Sequence, residues 1–296
     1  MKTINRILVL TSVIFLSYFL NSCEDKPPVD YTVEKYLEAY LIVDKPIEKI
    51  ILMNSQPIDK KYSKDQAMIK DAEVKILSDN QEYILSYKDG ENAGYYLPDA
   101  SVTVKPETVY KIEIMTKDGV FLTAETKTPK RINAWVKAPK SEIYYPQDTL
   151  NLPKVDSLEI EWTPVEGTSF FLIRTLCQDT LNYGKYLPVP TNEANRRCYN
   201  LFSKNENAEP MYKNPTNWGL IANNKTATVW LAFRWFGLHD VSVFNPDPNM
   251  LNWFINIYFT GSSETNPLLN SVKGGFGVFG SASVLSYESF LYKNQP

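Results

Sequence analysis

Histidine and cysteine are scarce in this 296-residue chain, which has one histidine, His239, and three cysteines. A single histidine excludes metal sites that need two imidazole ligands, and it leaves little room for histidine-based catalysis. Neither sign of charge dominates, because 31 lysines and arginines stand against 34 aspartates and glutamates. A mildly acidic chain lacks the broad phosphate-binding surface of nucleic-acid-binding proteins, so nucleic acid is not an expected partner.

Long apolar runs are also missing, except at the amino terminus. Two basic residues there precede an uncharged, mostly apolar run of 14 residues, Ile7 to Leu20, which has the length of a signal peptide and is short for a membrane span. It leads into Asn21-Ser22-Cys23, and the order Leu-x-Ser-Cys resembles the bacterial lipobox, in which the cysteine is acylated before cleavage. We therefore expect a lipoprotein signal peptide at residues 1–22 and attachment to outer-membrane lipid through Cys23. An ordinary secretory signal with an unrelated cysteine is the alternative.

The residues that follow Cys23 bear on where the anchored chain is displayed. Glu24-Asp25-Lys26 is similar to the short acidic export signal that sends lipoproteins of Bacteroidota to the outer face of the outer membrane. The alternative is a solvated, charged linker. Residues 23–32 are expected to form a lipidated acidic tether that Pro27-Pro28 stiffens. The expected location is the outer membrane, with the lipid-anchored protein facing the cell exterior.

Charge and tryptophan are unevenly distributed along the chain. Residues 23–130 hold 35 charged side chains, whereas the longer remainder holds 28 together with all six tryptophans. This change of composition predicts a domain boundary near residue 130. We expect an N-terminal β-sandwich at 33–130, a connector at 131–157, and an aromatic-rich C-terminal β domain at 158–296.

Alternating apolar and polar residues between turn signals predict about seven short strands in the first segment. Lys117-Asp118-Gly119 lies between two such runs, 109–115 and 120–126, and Asp-Gly between alternating runs is a strong hairpin signal. Many short strands without a long amphipathic helix are typical of a small antiparallel sandwich.

The second segment is also rich in predicted strands but less regular. A tryptophan, a Pro/Gly turn and an aromatic strand within residues 158–174 resemble the start of a fibronectin-type sandwich. Further strands are predicted at 226–236, 240–244 and 253–259. The expected fold class is all-β, with two antiparallel β-sandwich-like domains of immunoglobulin or fibronectin type after the cleaved signal peptide.

Covalent links and modifications are expected in the mature chain. Cys177 and Cys198 would form a disulfide in an oxidising compartment. Two buried free thiols are the alternative, and a metal site is disfavoured because no histidine lies nearby. Three Asp-Ser/Thr-apolar tripeptides fit the O-glycosylation pattern of Bacteroidota, although ordinary turn residues give the same pattern. The candidate glycosylation sites are Thr149, Ser157 and Thr180.

Motifs for catalysis, cofactors or metals are weak. Gly274 to Gly280 is not a Gly-x-Gly-x-x-Gly phosphate loop, so we interpret it as a tight turn or bulge leading into a buried edge strand. The Asn245-to-Asn249 loop offers one carboxylate, too few for a tight calcium site, and His239-Asp240 lacks a nucleophile motif. We predict no catalytic residue, no metal and no cofactor. Trp218 and Trp235 are candidate ligand-binding aromatics, although most aromatic side chains are expected in the core.

Three stretches carry a resemblance to a known family. Ile69 to Val74 resembles a strand of pattern I-x-D-A-x-V. Tyr110 to Pro129 resembles the closing strand pair of that family, and Asn270 to Gly280 its late glycine-rich stretch. On these residues the chain is similar to a Bacteroidota lipoprotein family known as domain of unknown function 4249. The resemblance implies a surface lipoprotein commonly encoded beside a TonB-dependent outer-membrane transporter, and it supplies no established catalytic residues.

Three functions follow as hypotheses. The first is a non-catalytic accessory lipoprotein that partners a TonB-dependent transporter in nutrient capture. The second is a stand-alone surface lipoprotein that binds glycans or peptides through its aromatic side chains. The third, a hydrolase, is the most remote, because no paired carboxylates, nucleophile–base pair or metal cluster emerges from the sequence.

Overall fold

The computed structural model describes residues 31–57, 59–146, 158–178, 185, 216–228, 230–233, 235–259 and 270–293. Within these residues the chain forms fifteen β-strands and only short helices, so the predicted all-β fold is confirmed. In this part of the chain no helix has the length and apolar character needed to cross a membrane.

The strands fall into two groups along the chain. The first group is β1 (Lys35–Ile42), β2 (Ile51–Asn54), β3 (Glu73–Ser78), β4 (Gln81–Lys88), β5 (Gly94–Tyr96), β6 (Val109–Met115) and β7 (Phe121–Lys127). The second group is β8 (Trp135–Lys137), β9 (Glu142–Tyr144), β10 (Glu159–Trp162), β11 (Phe171–Cys177), β12 (Thr216–Ile221), β13 (Lys225–Ala227), β14 (Gly237–Pro246) and β15 (Phe276–Tyr292). The helices are α1 (Lys64–Ala67), a 3-10 helix (Trp230–Ala232), α2 (Pro248–Phe254) and a π-helix (Ile255–Phe259) that continues α2.

A seven-stranded sheet forms the middle layer and joins the two groups of strands. Its order is β12-β11-β14-β15-β1-β2, and β9 pairs with the far end of β15. β15 is antiparallel to β14 but parallel to β1 and to β9. The prediction of purely antiparallel sheets is wrong at these two pairings, because the paired strands come from distant parts of the chain and not from hairpins. The composition change near residue 130 does not separate the sheets, since β1 and β2 complete the sheet that β11, β12, β14 and β15 form.

One face of the middle sheet packs against two smaller sheets. The five-stranded sheet β5-β4-β3-β6-β7 covers β1, β2 and the first half of β15, and buries Leu37, Ile76 and Phe279. The three-stranded sheet β13-β10-β8 covers β11 and β14, and buries Trp162. Phe279 and Leu285 of β15 share a face because alternate residues of a strand point the same way. The two hydrophobic cores therefore lie side by side on one sheet.

The glycine-rich stretch lets β15 run through the centre of this sheet. Gly277 has a φ of +129°, and a Cβ atom on it would overlap the carbonyl oxygen of Leu37 in β1. Asn270 holds the preceding turn, since its side chain accepts from the amides of Val272 and Gly277 and donates to the carbonyl of Gly275. The glycines therefore form a tight turn with a close backbone approach, as the sequence predicted. The strand that follows, β15, is a central strand of the sheet and not the predicted edge strand.

A short helix covers part of the opposite face of the middle sheet. Asp247 caps α2 by accepting from the amide of Met250 at 2.9 Å, and Pro248 begins the helix. The same carboxylate accepts from the amide of Ser281 on β15 and from the hydroxyl of Thr126 on β7. One buried carboxylate therefore ties α2 to two sheets.

Two strands predicted in the second segment are wrong. Residues 253–259 belong to α2 and the π-helix, because the Asp247-Pro248 cap starts a helix and Trp253 packs from it onto the sheet. The strand predicted at 226–236 ends with β13, and residues 230–232 form a 3-10 helix that buries Trp230. Short runs of large apolar residues fit a buried helical turn as well as a strand, so their periodicity could not decide between the two.

Candidate functional site

The side of the middle sheet that faces α2 carries a continuous group of aromatic side chains, here called the aromatic face. Neighbouring rings lie 4.7 to 6.4 Å apart between centroids. Trp253 and Phe254 of α2 are buried, whereas Trp218 and Tyr36 are half-buried at the rim of the group. The members of the aromatic face are Tyr36, Tyr40, Trp218, Phe244, Trp253, Phe254, Tyr258 and Phe276.

One end of the aromatic face, here called the Trp218 platform, combines rings with fixed charges. Strand register places Trp218 of β12 opposite Arg174 of β11, and Arg174 opposite Ser242 of β14. Arg174 Nη2 donates to Asp240 Oδ2 at 2.5 Å and to Ser242 Oγ at 3.1 Å. The guanidinium carbon lies 5.9 Å from the centre of the Trp218 ring. A carboxylate and an indole therefore hold the guanidinium in one place, and Tyr258 completes the platform beside them.

The charged pair of the Trp218 platform is partly open to solvent. The Arg174 and Asp240 side chains keep 24% and 17% of their surface exposed, although Arg174 Nε itself is buried. The ring of Trp218 lies 6.4 Å from that of Tyr258, which is 50% exposed. Neighbouring rings offer apolar faces, while the charged groups offer donors and acceptors. This combination suits a sugar or a peptide.

The other end of the aromatic face has a single carboxylate. Glu38 lies between Tyr36 and Tyr40 on β1, and the Tyr36 hydroxyl donates to Glu38 Oε2 at 3.1 Å. Burial first, and then the charge of Glu38, raises the pKa of both tyrosines. Both phenols therefore stay protonated and can donate hydrogen bonds, which supports recognition of a polar ligand.

His239 and Asp240 do not form a catalytic pair. They are neighbours on β14, so their side chains point to opposite faces of the sheet. Asp240 pairs with Arg174, whereas the buried His239 places Nδ1 2.8 Å from the carbonyl oxygen of Gly237 and packs edge-on against Phe233. Burial lowers the pKa of His239 to about 4, so the ring is neutral at physiological pH. This geometry gives His239 a packing role.

A cleft of about 510 Å³ lies where the two groups of strands meet, around the Asn245-to-Asn249 loop. Its Asn245 donates to the Lys130 carbonyl at 3.0 Å and accepts from the Thr168 hydroxyl at 2.9 Å. Asp247 is committed to capping α2. Across the described ranges no three side chains of the metal-ligating types come together. The polar groups at the base of this cleft already stabilise the fold, so the Trp218 platform is the stronger candidate site.

Of the other site residues named from the sequence, the structure describes only Trp235 and Cys177. Trp235 is buried, so it belongs to the core and not to a binding surface. Cys177 ends β11 with its side chain buried, and Cys198 lies outside the described residues, so their disulfide stays a prediction. The other named residues outside the described ranges are Cys23, Glu24, Asp25, Thr149, Ser157 and Thr180.

Sequence reasoning missed two members of the Trp218 platform. Arg174 carried a usable signal, because a charged residue inside the apolar strand Phe171–Cys177 needs a partner when it is partly buried. Tyr258 carried none, because its position next to Trp218 depends on the turn of helix that follows Asp247. Trp218 is the one named candidate that the structure places in the site.

These observations define an all-β protein of layered sheets with an aromatic, charge-flanked surface on its middle sheet. The model of a protein family described as Domain of unknown function (DUF4249) matches residues 26–245, and the chain belongs to this family. No curated protein matches the chain. The glycine-rich stretch at 274–280 lies beyond the matched residues, so the family match does not include this part of the resemblance.

Proposed function

We propose that this chain is a non-catalytic binding lipoprotein of a bacterium of the Bacteroidota. In this proposal Cys23 anchors it in the outer membrane, Glu24 and Asp25 direct it to the cell exterior, and it helps a TonB-dependent transporter to capture a nutrient. The observation that carries the binding role is the Trp218 platform. The anchor and its export rest on the sequence around Cys23 and on the family resemblance.

The Trp218 platform supports binding because its parts are held in place before a ligand arrives. The ion pair and the ring contacts hold four side chains in place. They are Arg174, Asp240 and Trp218 from three strands, and Tyr258 from the π-helix. A site that is already ordered loses little conformational entropy on binding. Tryptophan, tyrosine and arginine are also the residues that contribute most to binding energy when they lie in such a cluster.

The anchor gives the first testable prediction. Cys23→Ala should release the protein from the membrane or leave it with an uncleaved signal peptide, because no acyl chain can be attached. Separation of cell extracts into detergent and aqueous phases measures this change. The predicted result is loss of the detergent-phase fraction for the released form, or a detergent-phase chain that keeps residues 1–22 for the uncleaved form, and intact mass tells the two forms apart.

A matched variant of the same segment separates anchoring from export. Glu24→Ala with Asp25→Ala should stay in the detergent phase but should become protected from protease added to intact cells. If Cys23→Ala partitions as the wild type does although residues 1–22 have been removed, the lipid anchor is refuted. If the double variant remains cleavable on intact cells, the acidic export signal is refuted.

The binding role gives the second prediction. Purified mature protein should bind members of an array of soluble oligosaccharides and short peptides, and Trp218→Ala should weaken the best of these interactions about 30-fold, as expected for a central aromatic of a binding site. Titration calorimetry measures the loss. Trp218→Phe keeps most of the ring contacts, so this variant should stay folded. It should lose less affinity than Trp218→Ala.

Tyr144→Ala is the matched control for Trp218→Ala, because Tyr144 is an exposed aromatic at the far end of β15. It should leave the affinity unchanged. Equal affinities of Trp218→Ala and wild type would remove the platform as the binding site.

The stand-alone binding protein remains the second candidate, and the same aromatic surface favours it. Copurification from native membranes distinguishes the two. A transporter recovered with the wild-type chain supports the accessory role, whereas ligand binding without any copurified transporter supports the stand-alone role.

A further inference from the structure

Exposed apolar side chains cluster where the described chain begins, just before β1. Five of them are between 39% and 61% exposed, and exposed apolar side chains that gather in one area often mark an interaction surface. We call this surface the N-terminal apex. Its members are Tyr31, Val33, Tyr62, Met115 and Phe121.

Contacts along the start of β1 bring Tyr31 and Tyr62 together at one end of the molecule. The Tyr31 hydroxyl donates to the hydroxyl of Ser55, which also accepts from the amide of Glu34, and the Ser55 amide donates to the Glu34 carbonyl. Tyr62 lines a pocket of about 220 Å³ together with Glu34 and Tyr36. Both exposed tyrosines therefore flank the point where the chain enters the sheet.

Met115 and Phe121 reach the same end through the hairpin of β6 and β7. They pair with each other across the hairpin, and Val120 next to them lines a second pocket together with Val33. The turn of this hairpin is fastened to the start of β1, because Lys35 Nζ donates to Asp118 at 2.6 Å. The five side chains thus lie at the same end of the protein on three separate stretches of chain, with Met115 and Phe121 on the five-stranded sheet beside Ile84 and Lys75.

The position of the anchor makes this end the one nearest the membrane. Tyr31 lies eight residues after Cys23, and an extended chain of that length reaches at most about 28 Å. The opposite end of the molecule is far away, because β15 runs 17 residues from Phe276, which contacts Tyr36, to Tyr292, a span of about 55 Å. A tether of this length holds the N-terminal apex close to the lipid and keeps Tyr144 distant.

The chemistry of the N-terminal apex is that of a lipid interface. Tyrosine and phenylalanine side chains settle at the boundary between lipid headgroups and acyl chains. Lys60 and Lys61 precede Tyr62 and are exposed, so their ammonium groups can reach anionic headgroups. Glu34 and Asp59 offset part of this charge, so apolar contact is the main attraction.

We infer that the N-terminal apex rests on the lipid surface and orients the protein with the far end of β15 pointing away from the membrane. This inference depends on the proposed anchor at Cys23. It adds a second, non-covalent contact with the membrane, and it places the Trp218 platform on the flank of an oriented molecule.

Quenching of tryptophan fluorescence by brominated lipid tests the orientation. The full lipidated chain is reconstituted in vesicles of phosphatidylethanolamine and phosphatidylglycerol, with or without brominated acyl chains. Phe121→Trp adds a reporter at the N-terminal apex, and Tyr144→Trp is the matched reporter at the far end. We expect the added emission of Phe121→Trp to fall at least twofold in brominated vesicles and that of Tyr144→Trp to stay unchanged.

Three outcomes would overturn the inference. Equal emission of Phe121→Trp in the two vesicle types shows that the apex does not touch lipid. A photocrosslinker at position 121 that joins a protein in native membranes, without lipid quenching, assigns the apex to a protein partner. Flotation of the vesicles gives an independent reading, because a wild-type chain that does not float refutes the anchor itself and the orientation that depends on it.

Discussion

Gly277→Ala is expected to destabilise the native state of the protein severely. At φ of +129° an L side chain is strained, and the added Cβ would overlap the carbonyl oxygen of Leu37 on the neighbouring strand. Both backbones are held in place, because Leu37 is paired on its other side with Leu52 of β2, and Gly277 is bonded to the Asn270 side chain and to the amide of Ser271. We expect a loss of at least about 4 kcal/mol of unfolding free energy, which is the range of the most damaging single substitutions. Chemical denaturation measures the loss.

Gly219→Ala is the matched control. Gly219 lies on the edge strand β12, its φ is not positive, and an added Cβ meets nothing within 4 Å. The same change of residue should therefore alter stability by no more than about 0.5 kcal/mol. Unfolding of Gly277→Ala at the denaturant concentration that unfolds the wild type would show that β1 and β15 do not approach as described.

Acid is expected to destabilise the protein through His239. Burial lowers the pKa of this side chain to about 4, against about 6.5 when it is exposed, so the unfolded chain binds a proton that the folded chain excludes. The stabilisation is complete above pH 6.5 and is lost as the pH falls from 6.5 towards 4. The difference of about 2.5 pH units corresponds to about 3 kcal/mol. Denaturation midpoints across this range measure the loss.

His239→Phe isolates the contribution of the histidine. Phenylalanine keeps an aromatic ring against Phe233 but does not titrate, and His239→Gln keeps a donor for the carbonyl of Gly237. Both variants should lose stability less steeply than the wild type between pH 6.5 and 4, whatever their stability at pH 7. Parallel curves for all three proteins would mean that His239 is already protonated or solvated in the folded state.

The strands of the first segment could be predicted because local patterns determined them. Alternation along β1, β3, β6 and β7 fixes which residues face the core, and the Asp118-Gly119 turn fixes the hairpin of β6 and β7. The pairing of β1 with β15 could not be predicted in the same way. It joins Tyr36 to Phe276 in parallel across 240 residues, and no local pattern specifies so distant a partner.

The sequence by itself determined the all-β class, the family, the individual strands of the first segment and a tryptophan in the candidate site. It did so because strand periodicity, turn residues and motifs are local properties of the chain. Only the tertiary structure decided that Trp235 is buried while Trp218 is half-exposed, and that Arg174 is held between Asp240 and Trp218. Exposure and side-chain pairing depend on which strands become neighbours, and that is set when the sheets pack against each other and α2 covers part of the aromatic face.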